Sequence, residues 1–126
     1  MSAGERSDPR TAVLVIEDEI LVAVMLEDML ARLGHEIAGT AGNLDQALEM
    51  AQRASFDFAI LDVNLNGKEI YPVAETLAAR GIPFAFSTGY GQRSLHEEYR
   101  NRPILQKPFQ QQDLERILAE ISSSAR

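Results

Sequence analysis

Four short apolar runs, each followed at once by polar residues, constrain the fold of this chain more than any other feature. The runs cover residues 12–16, 58–61, 82–86 and 104–105. The polar groups that follow them are Glu17-Asp18-Glu19, Asp62, Ser87-Thr88 and Lys107-Pro108. If the runs are parallel strands of one sheet, these groups meet at its carboxyl edge, where open α/β sheets bind ligands. The pattern predicts an acidic cluster, a hydroxyl and an ammonium group in one place.

Apolar residues in the segments between the runs recur at helical spacing, so strands and helices alternate along the chain. Helices are predicted over about 19–33, 43–54, 70–80 and from Pro108 onward. A further strand is predicted over 36–41, and the strand that contains the run 104–105 is predicted to cover 103–106. Such alternation is typical of a doubly wound sheet of five parallel strands. Residues 64–67 are predicted to form a loop. Residues 89–102 have few apolar anchors, so we expect an irregular segment with at most about two turns of helix.

The first predicted helix carries more apolar residues than one buried face needs. Its inward set is predicted to be Val22, Met25, Leu26, Met29, Leu30 and Leu33. Ile20, Leu21 and Val24 come in addition. They are either covered by neighbouring segments or form a surface for a partner.

Composition excludes several functional classes. No run of about 18 apolar residues is present, so no membrane span is expected, and residues 1–10 do not resemble a signal peptide. The formal charge of −7 argues against general binding of nucleic acid. The absence of cysteine excludes thiol chemistry and suits a cytoplasmic protein.

The predicted cluster suits a divalent cation and a phosphoryl group. Neighbouring carboxylates repel by several kcal/mol per pair at intermediate dielectric, and a hard cation with oxygen ligands removes that repulsion. A free carboxylate can attack phosphorus, and the compact charge of a lysine suits a phosphoryl group. Each feature also has a plain structural explanation. Asp62 could cap a turn, Thr88 could cap a strand end, and the acids could favour a helix start.

With these motifs in this order, the chain resembles the receiver domain of bacterial two-component response regulators over about residues 11–121. Residues 1–10 are then a disordered lead and 122–126 a frayed tail. The resemblance implies a flavodoxin-like sheet with strand order 2-1-3-4-5 and a short or irregular fourth helix. Residues 82–91 also resemble a subgroup of stand-alone receivers with a Phe-Ala-Thr-Gly-Tyr-like sequence. That subgroup is associated with sensor histidine kinases of the HWE/HisKA2 type.

The resemblance also assigns roles to the site residues. Asp62 would be the phosphoacceptor, Thr88 would bind a phosphoryl oxygen, and Lys107 would pair with the carboxylate and then with the phosphoryl group. The Lys107–Pro108 bond would be cis. The Mg²⁺ ligands would be Glu17, Asp18, Asp62 and the backbone carbonyl of Asn64. A kinase would dock on the first helix and on the loop before the last helix.

Two positions depart from the usual pattern of the family. Ile104 stands where many receivers have an aromatic switch residue, so Tyr90 is the alternative candidate for a moving aromatic side chain. Asn66 replaces the usual proline four residues after the phosphoacceptor, so the loop after Asp62 is expected to have a different shape.

These observations favour a single-domain phosphoacceptor that is not an enzyme beyond its own Mg²⁺-dependent phosphotransfer and dephosphorylation. A sensor histidine kinase or a phosphotransfer protein would be its partner, and it would signal by protein contact or act as a phosphate sink. The alternative is a receiver-like module that binds a protein without phosphorylation. A phosphatase of the haloacid-dehalogenase type would need an acid where Asn64 stands. A flavodoxin-like redox protein would need a phosphate-binding loop in place of Glu17-Asp18-Glu19.

Overall fold

The computed structural model describes residues 11–124, which form a parallel sheet flanked by helices on both faces. In chain order the elements are β1 (Ala12–Ile16), α1 (Ile20–Arg32), β2 (Glu36–Ala41), α2 (Leu44–Arg53), β3 (Phe58–Asp62), β4 (Asn64–Leu65), β5 (Lys68–Glu69), α3 (Tyr71–Ala79), β6 (Phe84–Thr88), two 3₁₀-helices (Gln92–Ser94 and Glu97–Tyr99), β7 (Ile104–Gln106) and α4 (Gln111–Ser124). The expected disordered lead lies outside the described residues, as do residues 125 and 126 of the expected tail. No helix between residues 11 and 124 is long and apolar enough to cross a bilayer.

The main sheet has the order β2-β1-β3-β6-β7, and every neighbouring pair is parallel. When the five strands of this sheet are counted alone, that is the predicted order 2-1-3-4-5. Alternate strand residues face opposite sides of the sheet. Leu14 and Leu61 pack with α2 and α3 on one side, whereas Val15 and Ile60 pack with α1 and α4 on the other. The sheet is therefore doubly wound, and both of its faces are buried.

The segment between β6 and β7 contains two 3₁₀-helices in place of a fourth α-helix, which confirms the prediction of an irregular segment. Two apolar anchors hold it against the core. Leu95 is 2% exposed and Tyr99 is 7% exposed. The ring of Tyr99 lies 5.5 Å from that of Tyr71 on α3, centroid to centroid, in a stacked arrangement. Although irregular, the segment is therefore packed.

Two strand and loop boundaries differ from the predictions. Residues 64–67, predicted to be a loop, belong to a hairpin in which β4 pairs with β5. β6 begins at Phe84 rather than at residue 82, because the amide of Ile82 donates to the carbonyl of Leu77 and so closes α3.

The ends and faces of two helices also differ. The last helix begins at Gln111 rather than at Pro108, because the Asp113 carboxylate accepts from the Gln110 amide and caps the helix there. It continues to Ser124, since neither glycine nor proline follows Ile121 to stop it.

In α1, Ala23 is buried, whereas Met25, predicted to face inward, is 41% exposed. Together with Ile20, Leu21 and Val24, which are 77%, 84% and 55% exposed, Met25 forms the exposed α1 stripe. The helix is apolar on more than one side, so its periodicity alone does not identify the buried face.

Candidate functional site

The carboxyl ends of four strands deliver the predicted polar residues to one edge of the sheet. Glu17 and Asp18 directly follow β1, Asp62 ends β3, Thr88 ends β6, and Lys107 directly follows β7. The strand register brings these ends level, because Ile16 pairs with Leu61 and Thr88 pairs with Gln106. The structure thus brings together the side chains that sequence reasoning placed in one site.

Three carboxylates and one ammonium group form the centre of the site. Glu17, Asp18 and Asp62 each offer an oxygen, and these oxygens all lie within 4.8 Å of one another. Lys107 Nζ lies 3.1 Å from Glu17 Oε1 and 3.3 Å from Asp62 Oδ2. Glu19 Oε1 is 3.8 Å from the same ammonium, on a side chain that is 66% exposed. Glu17 and Asp62 are only 4% and 7% exposed, so little water is available to screen these charges.

Burial changes the acidity of both buried carboxyl groups. Loss of solvation, with a smaller contribution from neighbouring Asp62, raises the pKa of Glu17 from 4.5 to about 7. Burial likewise raises the pKa of Asp62, although Lys107 opposes the change. Burial alone would lower the pKa of Lys107, but the carboxylates of Asp62 and Glu17 raise it, so the ammonium stays charged. The single positive charge of Lys107 does not balance the negative charge of three carboxylates. A bound proton or a cation would stabilise them.

Backbone amides hold each carboxylate in a fixed orientation. The amide of Glu19 donates to Glu17 Oε2 at 3.0 Å, that of Asn64 to Asp62 Oδ1 at 3.3 Å, and that of Asn66 to Asp18 Oδ2 at 2.9 Å. The last contact depends on the β4–β5 hairpin, whose central residues Asn66 and Gly67 have φ of 51° and 83°. Positive φ at both positions is typical of a type I′ turn, for which Asn-Gly is the favoured sequence.

The donor set fits a hard divalent cation such as Mg²⁺. Every group that the cluster offers is an oxygen, and a cation would relieve both the burial of charge and the smaller repulsion from Asp62 that raise the pKa of Glu17. Glu17, Asp18 and Asp62 would hold such an ion. The backbone carbonyl of Asn64 as a fourth ligand stays a prediction.

The Asp62 carboxylate opens onto a cleft of about 540 Å³. Its lining includes Asp62, Thr88, Tyr90 and Lys107. Thr88 Oγ1 accepts from the amide of Tyr90 at 3.1 Å. The Ser87 side chain is buried and forms no hydrogen bond within the part of the chain that the structure describes, and it is not part of the lining. The geometry is therefore in keeping with the choice of Thr88 over Ser87.

Some predicted details are observed, and others stay predictions. The Lys107–Pro108 bond is cis, as the resemblance implied. Ile104 is half-buried against the core. Tyr90 is 86% exposed at the cleft, so its proposed movement stays a prediction.

Sequence reasoning missed Ser94, which lies beside Thr88, and Tyr71, which contacts Ser94. Ser94 Oγ lies 3.2 Å from Thr88 Oγ1, and Tyr71 connects Ser94 to the rest of the segment. The only sequence signal for Ser94 is a hydroxyl in an irregular segment.

Fold and site together define the class of α/β signalling domains known as receivers. The chain matches the model of the response regulator receiver domain over residues 13–119, and it belongs to that family. Receiver domains are signalling modules rather than enzymes in general, and binding of Mg²⁺ and phosphorylation are typical of them.

One curated relative and two solved structures place the chain within the family. The transcriptional regulatory protein PdtaR of Mycobacterium tuberculosis is 36% identical over 106 residues, which cover 81% of this chain and 52% of PdtaR. The solution structure of SdrG from Sphingomonas melonis Fr1 is 45% identical with a TM-score of 0.82, and the match covers 90% of this chain and 97% of that one. The BeF3-activated conformation of SdrG from Pseudomonas melonis Fr1 is 47% identical with a TM-score of 0.75, covering 86% of this chain and 92% of that one. The chain spans about half the length of the curated relatives it matches first.

Proposed function

We propose that Asp62 accepts a phosphoryl group from a sensor histidine kinase or a phosphotransfer protein, and that the reaction depends on Mg²⁺. The observation that carries this proposal is the placement of Asp62. Its carboxylate is buried at the end of β3, 3.3 Å from the Lys107 ammonium and within 4.8 Å of two further carboxylates. A carboxylate that only capped a turn would not need this surrounding charge.

The chain's own residues would act on different parts of the transfer. An Asp62 oxygen attacks phosphorus, a P–O bond forms, and the P–N bond to the donor histidine breaks. Lys107, already near both buried carboxylates, compensates negative charge on the transferred group. Thr88, which lines the same cleft, donates a hydrogen bond from its hydroxyl group to a phosphoryl oxygen. Bound Mg²⁺ would neutralise charge on the phosphoryl group.

The exposed α1 stripe supports a kinase or phosphotransfer partner at this edge of the molecule. Ile20 and Leu21 directly follow the acidic residues in sequence and are 77% and 84% exposed. A helix of the donor protein that covered them would bring its phosphohistidine close to Asp62. The resemblance of residues 82–91 to the Phe-Ala-Thr-Gly-Tyr-like subgroup supports a donor of the HWE/HisKA2 type. The phosphorylated domain would then signal by protein contact or act as a phosphate sink.

Phosphorylation with a small donor tests this proposal. The protein is incubated with Mg²⁺ and acetyl phosphate and analysed by intact-mass spectrometry. We expect a gain of one phosphoryl group in wild type and in Asp45→Asn, an exposed aspartate on α2, but no gain in Asp62→Asn.

Beryllofluoride provides the second measurement, because some receivers react poorly with small donors. With Mg²⁺ it should shift the amide resonances around Asp62 in wild type but not in Asp62→Asn. An adduct that persists in Asp62→Asn would refute Asp62 as the acceptor. Failure of wild type to respond to either reagent would favour the receiver-like module that binds a partner without phosphorylation.

A further inference from the structure

We propose that Ser94 is a positioning residue that accepts the hydrogen bond of the Thr88 hydroxyl and so competes for that bond with a phosphoryl group on Asp62. This inference rests on the proposed function, because it concerns the site in which Asp62 is the acceptor. Ser94 lies outside the four strand-end motifs, and its role would oppose the binding of a phosphoryl group by Thr88. Ser94 would set how readily the phosphorylated form is reached.

The hydrogen bonds around Thr88 determine which hydroxyl donates. Ser94 Oγ lies 2.7 Å from the carbonyl of Gly91, which has no proton to give, so the Ser94 proton points to Gly91. Thr88 Oγ1 accepts from the amide of Tyr90 at 3.1 Å. In the 3.2 Å contact between the two hydroxyls, Thr88 is therefore the donor and Ser94 the acceptor.

A hydroxyl has a single proton, so Thr88 cannot donate to Ser94 and to a phosphoryl oxygen at full strength together. A phosphoryl group in its dianionic form only accepts hydrogen bonds. Thr88, Ser94, Asp62 and Lys107 line the same cleft, so the two acceptors lie in one space. Recruitment of Thr88 to the phosphoryl group therefore has to break its bond to Ser94.

The rest of the segment stays anchored when this bond breaks. The Tyr71 hydroxyl donates to the backbone carbonyl of Ser94 at 3.4 Å and accepts from the amide of His96 at 3.0 Å. The Tyr71 and His96 rings stack with their centroids 3.7 Å apart, and Leu95 is 2% exposed. Release of Thr88 should therefore loosen residues 89–94 and leave the second 3₁₀-helix in place.

A double-mutant cycle tests the competition. Beryllofluoride with Mg²⁺ is titrated into wild type, Ser94→Ala, Thr88→Val and the double variant, and amide shifts give the apparent affinity. Ser94→Ala should tighten binding roughly 2- to 10-fold, the range that one hydrogen bond of ordinary net strength allows. In the Thr88→Val background the same substitution should have less than about a twofold effect. Ser94→Thr, which keeps the hydroxyl, should behave as wild type.

Hydrogen exchange in wild type provides a second measurement that needs no variant. The Ser94 amide donates to Gly91 and the Tyr99 amide donates to His96. Beryllofluoride should speed exchange of the Ser94 amide at least about twofold and leave that of Tyr99 unchanged. The inference is overturned if Ser94→Ala leaves affinity unchanged, if it acts equally in both backgrounds, or if the Ser94 amide is unaffected. If wild type takes up no beryllofluoride, this inference fails, and the proposed function fails with it when acetyl phosphate also leaves no adduct. The other outcomes overturn this inference alone.

Discussion

The burial of Glu17 among other carboxylates predicts an unusual dependence of stability on pH in metal-free protein. The pKa of Glu17 is raised from 4.5 to about 7, mainly by burial. Between these values the folded protein binds a proton that the unfolded chain has released. The free energy of unfolding should therefore fall as the pH rises from about 5 to about 8, because stability increases with pH only where the unfolded state holds more protons.

The shift of Glu17 sets the magnitude. Each pKa unit corresponds to about 1.4 kcal/mol, so the loss of stability has an upper limit of about 3 kcal/mol. For a domain of this size that corresponds to a change in melting temperature on the order of 10 °C. The pKa of Asp62 is raised as well, but the two groups titrate together, so the limit applies to the pair rather than to each group.

Denaturation in EDTA at pH 5.5 and pH 8, followed by circular dichroism, measures this effect. Glu17→Gln keeps the shape of the side chain and removes its charge, so it should lose most of the pH dependence and exceed wild type in stability at pH 8. Glu115→Gln, at an exposed position on α4, should behave as wild type. Both histidines, His35 and His96, are present in every variant, so they do not affect the comparison.

Addition of Mg²⁺ at pH 8 completes the test. It should restore stability to wild type and have a smaller effect on Glu17→Gln, because a ligand that binds only the folded state stabilises it. If wild type were as stable at pH 8 as at pH 5.5 in EDTA, or if Glu17→Gln kept the same pH dependence, the argument from buried charge would be refuted.

Three further predictions concern single side chains. Lys107→Ala should slow labelling of Asp62 by acetyl phosphate at least about tenfold in a mass-spectrometric time course, because charge-assisted contacts contribute about 1.5–3 kcal/mol each. Equal rates in wild type and variant would contradict a role for the ammonium group. Gly67→Ala should lower the free energy of unfolding in urea by about 1–2 kcal/mol, because φ there is 83° and no atom lies within 4 Å to add a clash. Gly89→Ala, also without neighbours within 4 Å, is the matched control and should change stability by less than about 0.5 kcal/mol. Asn43→Ala should lower the free energy of unfolding by about 1 kcal/mol in the same assay, because the Asn43 side chain caps α2 by accepting from the Gln46 amide at 2.9 Å. Asn43→Asp should be neutral, and equal losses in the two variants would argue against capping.

The fold and the centre of the site were predictable because the rules involved are local. Apolar runs of strand length that alternate with helical spacing imply a parallel sheet, and all strands of such a sheet end at the same edge. The one or two residues after each run therefore lie near the others, whatever the loops do. Asp62 and Lys107, 45 residues apart, are 3.3 Å apart for this reason.

Contacts made by irregular backbone could not be predicted in the same way. Ser94 reaches Thr88 because Leu95 and Tyr99 are buried and fix the path of the segment, and no periodic pattern encodes that path. The hairpin after β3 was missed for a related reason. Asn66-Gly67 indicates a turn, but two-residue strands on either side are too short to show alternation.

The exposed α1 stripe also affects how the protein behaves at high concentration. Four apolar side chains on one helix, one of them 84% exposed, favour contact between copies of the chain. The net charge of −7 opposes such contact through mutual repulsion. Because salt at about 0.1 M limits repulsion to a range of about 10 Å, colloidal stability in this protein depends on ionic strength. The acidic composition of the chain thus counteracts self-association through the surface that we propose for a kinase helix.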